Sequence, residues 1–300
     1  MQILLTGASG LVGNQLIPVL KKDGHQVLRL VRSKGIKDQE TIYWSPDEKI
    51  LDIEQLTSID AVVHLAGEPI MGRWTESKKA RIRQSRQDTT GFLCEKLSQL
   101  VPLPKTLISA SAIGYYGNRG GDWLGEDEPP GNGFLPEVCH AWEKATEGAE
   151  KAGIRVVNLR IGVVLSKVGG ALAQMLTPFR LGLGGKIGDG KQYMSWLTLD
   201  ELIGIIQFAL QTDPLSGPVN AVAPNPVTNS ELTELLGRMV HRPTILSVPS
   251  FAVKLLFGEM GIDLLLGGAR VNPKGLLDTG YNFKHPDLDQ ALKHVLSESI

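Results

Sequence analysis

Thr6-Gly7-Ala8-Ser9-Gly10-Leu11-Val12-Gly13 carries the most pointed chemistry in this chain. Gly7 and Gly10 remove side chains where a backbone leaving a strand must turn and approach a phosphate, and Gly13 lets the following helix pack close to that strand. The free N–H groups at the helix start, from Ser9 through Leu11 and Val12, then face a pyrophosphate. A plain tight strand-to-helix turn would use the same glycines. The spacing of strand, helix and next strand favours the dinucleotide reading. That next strand ends in Leu30-Val31-Arg32-Ser33. A site for NAD usually places an acid here for the ribose 2′-hydroxyl, whereas an arginine accommodates the 2′-phosphate of NADP. Arg32, with Ser33 beside it, therefore predicts NADP; the alternative is a solvated arginine at a strand end. A charge-assisted hydrogen bond contributes about 1.5–3 kcal/mol, a preference of roughly ten- to hundredfold.

These residues need a scaffold, and the first two-thirds of the chain supplies one. Short β-branched runs at Gln2–Thr6, Gln26–Val31, Ile42–Trp44, Ala61–Leu65, Thr106–Ala110 and Arg155–Leu159 alternate with helical patterns near 11–22, 75–100, 136–152 and 170–181. Such alternation is the form of a parallel sheet covered on both faces, here an α/β doubly wound sheet of the Rossmann type. Pro18 should kink the first helix or shift its start. Past Arg160 the rhythm loosens. Gly182–Gly190 reads as a loop, a helix is predicted near 199–211, and a strand at Pro218–Ala221. Thr228-Asn-Ser-Glu231 has capping-box spacing and should open a helix running to about residue 240.

The organisation expected is a dinucleotide-binding domain over 1–165, rejoined by a strand and helix from about 192–212, and a smaller C-terminal α/β subdomain on the substrate side over 166–300. A net charge of −1 gives no long-range attraction to phosphates, so neither nucleic acid nor a membrane is an expected partner. Cys94 and Cys139 are far apart without metal-ligand spacing, which predicts reduced thiols, no metal and a cytoplasmic protein. Phe251–Leu266 is apolar but interrupted by Lys254, Glu259 and Asp263, which makes it core or interface material.

With the glycine motif in place, other segments resemble the extended short-chain dehydrogenase/reductases. Asp60-Ala-Val-Val-His-Leu-Ala-Gly67 is similar to their fourth strand, whose end contacts the cofactor's ribose, and so implicates Leu65, Ala66 and Gly67. Ser109-Ala-Ser-Ala-Ile-Gly-Tyr-Tyr-Gly117 looks like their fifth strand, with Ser109 and Ala110 beside the cofactor and Ser111 at the catalytic serine. Leu159-Arg-Ile-Gly-Val-Val164 resembles the sixth-strand end next to the nicotinamide, implicating Arg160 and Ile161, and Gly188–Trp196 is similar to the substrate-side loop. More narrowly, Arg73-Trp74, Ser85-Arg86, Cys139 with Trp142-Glu143, and Gly267-Gly-Ala-Arg-Val-Asn-Pro-Lys274 resemble the atypical branch of nucleoside-diphosphate-sugar epimerase-like proteins that carry a C-terminal domain of unknown function.

One departure matters. The family's Tyr-x-x-x-Lys slot is filled by Cys139-His-Ala-Trp-Glu143, two residues one helical turn apart on a shared face. Cys139 is either a catalytic thiol or a small apolar side chain against the sheet. Glu143 is a proton acceptor or part of a solvated face, and Ser111 touches substrate or merely turns the chain. His64 is expected to be packed and His140 to point away from the 139/143 face. Tyr115 and Tyr116 wall a pocket or anchor a loop. Two functions follow: an NADP(H)-dependent oxidoreductase or epimerase acting on a small polar or nucleotide-linked molecule, or a cofactor-bound sensor or scaffold without turnover. Oligomeric state stays open.

Overall fold

Near-continuous Val, Ile and Leu runs, buried on both faces, dictate the centre of the molecule. The computed structural model describes residues 1–35 and 38–297. Its first half runs β1 (Gln2–Thr6), α1 (Leu11–Lys22), β2 (Gln26–Val31), β3 (Thr41–Ser45), β4 (Ile50–Leu51), β5 (Ala61–His64), α2 (Glu76–Leu97), β6 (Thr106–Ala112), β7 (Trp123–Leu124), α3 (Phe134–Lys144), α4 (Glu147–Lys151) and β8 (Arg155–Ile161). The second half runs β9 (Val163–Leu165), α5 (Gly170–Arg180), β10 (Gly185–Ile187), β11 (Tyr193–Met194), β12 (Trp196–Thr198), α6 (Leu199–Gln211), β13 (Gly217–Ala221), β14 (Val227–Thr228), α7 (Asn229–Met239), β15 (Leu246–Val248), α8 (Ser250–Gly261), β16 (Arg270–Val271), α9 (Lys274–Asp278) and α10 (Leu288–Ser297).

Eight strands form one sheet in the order β13-β8-β6-β5-β1-β2-β3-β4, parallel except for the β3–β4 hairpin. This is the doubly wound α/β sheet expected. One core lies between the sheet and α1 with α6, around Leu16, Leu20, Leu202 and Ile206; the other lies under α2 and α4, around Phe92, Leu93 and Leu97. α1 passes through Pro18 as a single helix. Proline inside a helix costs about 3 kcal/mol. Leu16 and Leu20, fully buried on the same helix, contribute roughly 1.5–3 kcal/mol each and outweigh it. The helical pattern near 136–152 resolves into two pieces, α3 and α4.

After β8 the chain leaves the sheet and comes back. β9 pairs with β12, α6 packs against the first core, and β13 adds an edge strand beside β8. Thr228 and Glu231 form the capping box that opens α7. The Gly182–Gly190 stretch is not simply a loop: it contains β10, parallel to β15 some sixty residues later. Gly185 permits this, because a Cβ there would lie 1.8 Å from the Leu246 carbonyl oxygen. Glu201, buried, ties down the tail by accepting from Tyr281 Oη and the backbone N–H groups of Lys284 and His285. No helix among the described residues is long and apolar enough to cross a membrane.

Candidate active site

The glycine turn sits where β1 meets α1. Gly7 adopts φ +72°, and a Cβ there would approach the Leu65 carbonyl carbon and oxygen to 2.7 Å. At Gly13 a Cβ would lie 2.4 Å from the Gly7 oxygen, so neither position admits a larger residue without moving backbone. Gly10 caps α1 without any side-chain acceptor, which leaves the N–H groups of the first turn open to a ligand. Ser9 is exposed, Leu11 leans on Gly169, and Val12 packs against the core. Arg32 and Ser33 are exposed just beyond β2, and Arg32 makes no ion pair within the described residues, whereas Arg29 on the same strand is held by Asp38.

Beside the turn, Thr6 Oγ1 accepts from the N–H groups of Leu65 (3.1 Å) and Ala66 (3.2 Å). Its own hydrogen must then go to His64 Nδ1 at 2.7 Å, so His64 carries its proton on Nε2 and donates to Thr90 Oγ1 at 2.9 Å. Burial pushes the His64 imidazole down from 6.5 to about 4. This histidine is a neutral strut that sets the β5 end. Gly67 is exposed there, against the Arg86 guanidinium. Arg86 in turn donates to the Glu68 carbonyl and stacks on Trp142 of α3.

The carboxyl ends of β6 and β8 carry the array that chemistry would use. Ser111 Oγ donates to Glu143 Oε1 at 2.7 Å. Arg160 grips the same carboxylate through Nε to Oε1 and Nη2 to Oε2, both at 2.9 Å. Burial alone would depress the Arg160 guanidinium, but the hydrogen bond and charge of Glu143 outweigh it and hold it above its ordinary value. Nη1 of Arg160 donates to Tyr116 Oη (2.9 Å), and that hydroxyl lies 2.7 Å from Asn220 Oδ1 on β13. The guanidinium also lies over the Tyr115 ring at 3.6 Å.

The structure brings three expected residues, Ser111, Glu143 and Cys139, into one cluster with Arg160. Cys139 is 3% exposed, and burial pushes its thiol from 9.0 up to about 12, Arg86 pulling slightly the other way. Arg160, expected beside a nicotinamide, lies at the end of β8 with its side chain holding Glu143. Ser109 and Ala110 lie inside β6 with their side chains enclosed, while Ile161 is half-buried at the end of β8. His140 is exposed. Trp196, at the end of the stretch that resembles a substrate-side loop, is fully buried with Leu176, Phe179 and Leu236, its Nε1 donating to the Asn225 carbonyl. No cluster of three or more His, Cys, Asp or Glu among the described residues is placed to hold a metal.

Sequence reasoning missed the Arg160–Glu143 pair and its extension through Tyr116 to Asn220. A signal was there: an arginine within an otherwise apolar strand must be matched by a carboxylate.

A parallel sheet with a glycine-lined first turn, and a polar array at its carboxyl ends, defines a dinucleotide-binding α/β protein. The model of the NAD dependent epimerase/dehydratase family matches residues 3–221, and that of a domain of unknown function matches residues 248–295. The chain belongs to the NAD dependent epimerase/dehydratase family. It is 42% identical over 294 residues to epimerase family protein MT2273 of Mycobacterium tuberculosis, covering 98% of this chain and 97% of that one. It is 36% identical over 301 residues to the Homo sapiens epimerase family protein SDR39U1, covering 99% and 100%. The crystal structure of human SDR39U1 (isoform 2) with NADPH matches with a TM-score of 0.89 at 34% identity, over 98% of this chain and 99% of that chain. A nucleoside-diphosphate sugar epimerase from Corynebacterium glutamicum matches with a TM-score of 0.82 at 37% identity, over 99% of this chain and 58% of that chain.

Proposed function

We propose that this protein binds NADPH and acts as an oxidoreductase or epimerase of the extended short-chain dehydrogenase/reductase type, on a small polar or nucleotide-linked substrate, without a tyrosine–lysine relay. The observation that carries this reading is the Ser111–Glu143–Arg160 array, set at the carboxyl ends of β6 and β8 where doubly wound sheets hold their ligands. The residues fit a dinucleotide: Gly7 and Gly13 leave no room for a Cβ, and the first turn of α1 has uncapped donors. The exposed Arg32, outside any ion pair among the described residues, supports NADPH over NADH, as does NADPH in the human relative's structure. The name of the Corynebacterium relative supports a nucleotide-linked substrate.

When bound, the nicotinamide supplies hydride transfer. The chain's own groups hold substrate and move a proton. Because Ser111 donates its hydrogen to Glu143, its oxygen is left to accept from a substrate hydroxyl. A proton arriving at Ser111 Oγ is matched by one leaving for Glu143 Oε1, while Arg160 keeps that carboxylate in place. Cys139 stays a protonated thiol. Tyr116, pushed up to about 12 by burial, does not supply a phenolate at neutral pH.

A second reading, a cofactor-occupied sensor without turnover, is favoured by one observation: Ser111 and Arg160 are 3% and 2% exposed, so the array is nearly shut off from solvent. Following NADPH oxidation and NADP+ reduction across a panel of polar and nucleotide-linked metabolites separates the two. Turnover that is lost in Ser111→Ala, with NADPH binding retained, supports the enzyme. Tight NADPH binding with no turnover on any metabolite supports the sensor.

A further inference from the structure

Ten of the eighteen exposed large apolar side chains among the described residues fall between Leu181 and Ile262. Leu183, Ile245, Leu246, Phe251, Leu255 and Leu256 alone, from 51% exposed at Leu246 to 89% at Ile245, present roughly 800 Å² of apolar surface. The segments that carry them adjoin, because β10 pairs with β15, α8 follows β15 directly, and Gly188 N–H donates to the Val248 carbonyl.

We infer that this face of β10, β15 and α8 is where a second copy of the chain binds through a two-fold contact. Its size is what decides. Monomers rarely expose a contiguous apolar patch above a few hundred Å², and a standard interface buries about 800 Å² per partner. A strand edge names the occupant. β15 is the end strand of a two-stranded sheet, so one of its edges is unpaired among the described residues. A two-fold axis beside that edge sets β15 antiparallel to its own copy and satisfies the free backbone groups, which a lipid surface cannot do.

Charge fixes how the copies meet. Residues 180–188 and 242–258 include four exposed cations, Arg180, Lys186, Arg242 and Lys254, and no carboxylate. None of the four is in a salt bridge among the described residues. In a two-fold contact these like charges stay on the solvated rim, and screening them strengthens association. An anionic surface would show the reverse, weakening as salt rises.

Sedimentation velocity on the full chain, from nanomolar to micromolar concentration in low and high salt, tests this. The expected result is a dimer that tightens with salt. Phe251→Ser with Leu255→Gln in α8, and separately Leu246→Gln in β15, should each weaken it about a hundredfold. Cofactor titration and thermal melting check that both variants fold; if the helix variant does not, the strand variant decides. In the wild type, amide exchange across 245–257 should slow as protein concentration rises. A monomer at every concentration, a dimer indifferent to the substitutions, or adsorption to phosphatidylserine-containing vesicles that weakens with salt overturns the inference.

Discussion

Glu143 holds Arg160 through both carboxylate oxygens, at 2.9 Å each, across the seam between α3 and β8. The guanidinium side chain is 3% exposed and the carboxylate side chain 12%. The pair does two things at once. It neutralises a cation buried inside the sheet, and it aims Glu143 at Ser111.

Breaking one half of such a pair leaves an uncompensated buried charge, which costs about 3–5 kcal/mol. We therefore expect Glu143→Ala to lower unfolding stability by about 3 kcal/mol or more in urea titrations. Combining it with Arg160→Met should restore most of that loss, because no charge is then stranded. Additive losses in the double variant would show that the two side chains act independently.

Much of the scaffold is legible in the sequence because it is set locally. The bounds of β1, α1 and β2 follow from apolar periodicity and the glycine turn, and the Thr228 cap from four consecutive residues. What was hidden depends on distant partners. β10 exists only because Leu246–Val248 lies alongside it. Tyr116 reaches Asn220 across 104 residues. Trp196 is enclosed by α5, α7 and α10, which the chain brings together from widely separated segments. Ser111, Cys139 and Glu143 come from counting along a familiar pattern. The grip of Arg160 on Glu143 does not, since pattern counting says nothing about which strand supplies the counter-charge.

Arg32 is expected to set cofactor choice. Arg32→Asp should cut NADPH affinity about ten- to hundredfold and narrow or invert the NADPH-to-NADH ratio. Fluorescence titration of both cofactors against both proteins measures it. Equal wild-type affinities, or an unchanged ratio in the variant, would refute the role.

His64 should make the fold acid-sensitive. Its imidazole titrates near 6.5 unfolded and about 4 folded, so between those values the unfolded chain holds more protons and acid favours unfolding. Its contribution is fully present above 6.5 and is lost as pH falls toward 4, amounting to about 3 kcal/mol. His64→Gln should therefore flatten the pH dependence of unfolding free energy within that window. An identical slope in variant and wild type would mean that other groups carry the acid response.

The order of importance within the array is the sharpest test of the chemistry. A thiol pushed up to about 12 stays protonated at neutral pH, so Cys139→Ala should leave turnover within a few-fold of wild type, with no thiol inflection in the pH–rate profile to lose. Glu143→Gln keeps the shape of the side chain but removes the acceptor for the Ser111 proton, and Ser111→Ala removes the group that would touch substrate. Each should reduce kcat by about a hundredfold or more. NADPH titration and melting temperature must first show that each variant binds cofactor and folds, because Glu143→Gln also slackens the hold on Arg160. Turnover on whichever metabolite proves active then ranks the three. Loss of activity in Cys139→Ala with none in Glu143→Gln would make the cysteine the working group. Full activity in all three would place the chemistry elsewhere along the cleft.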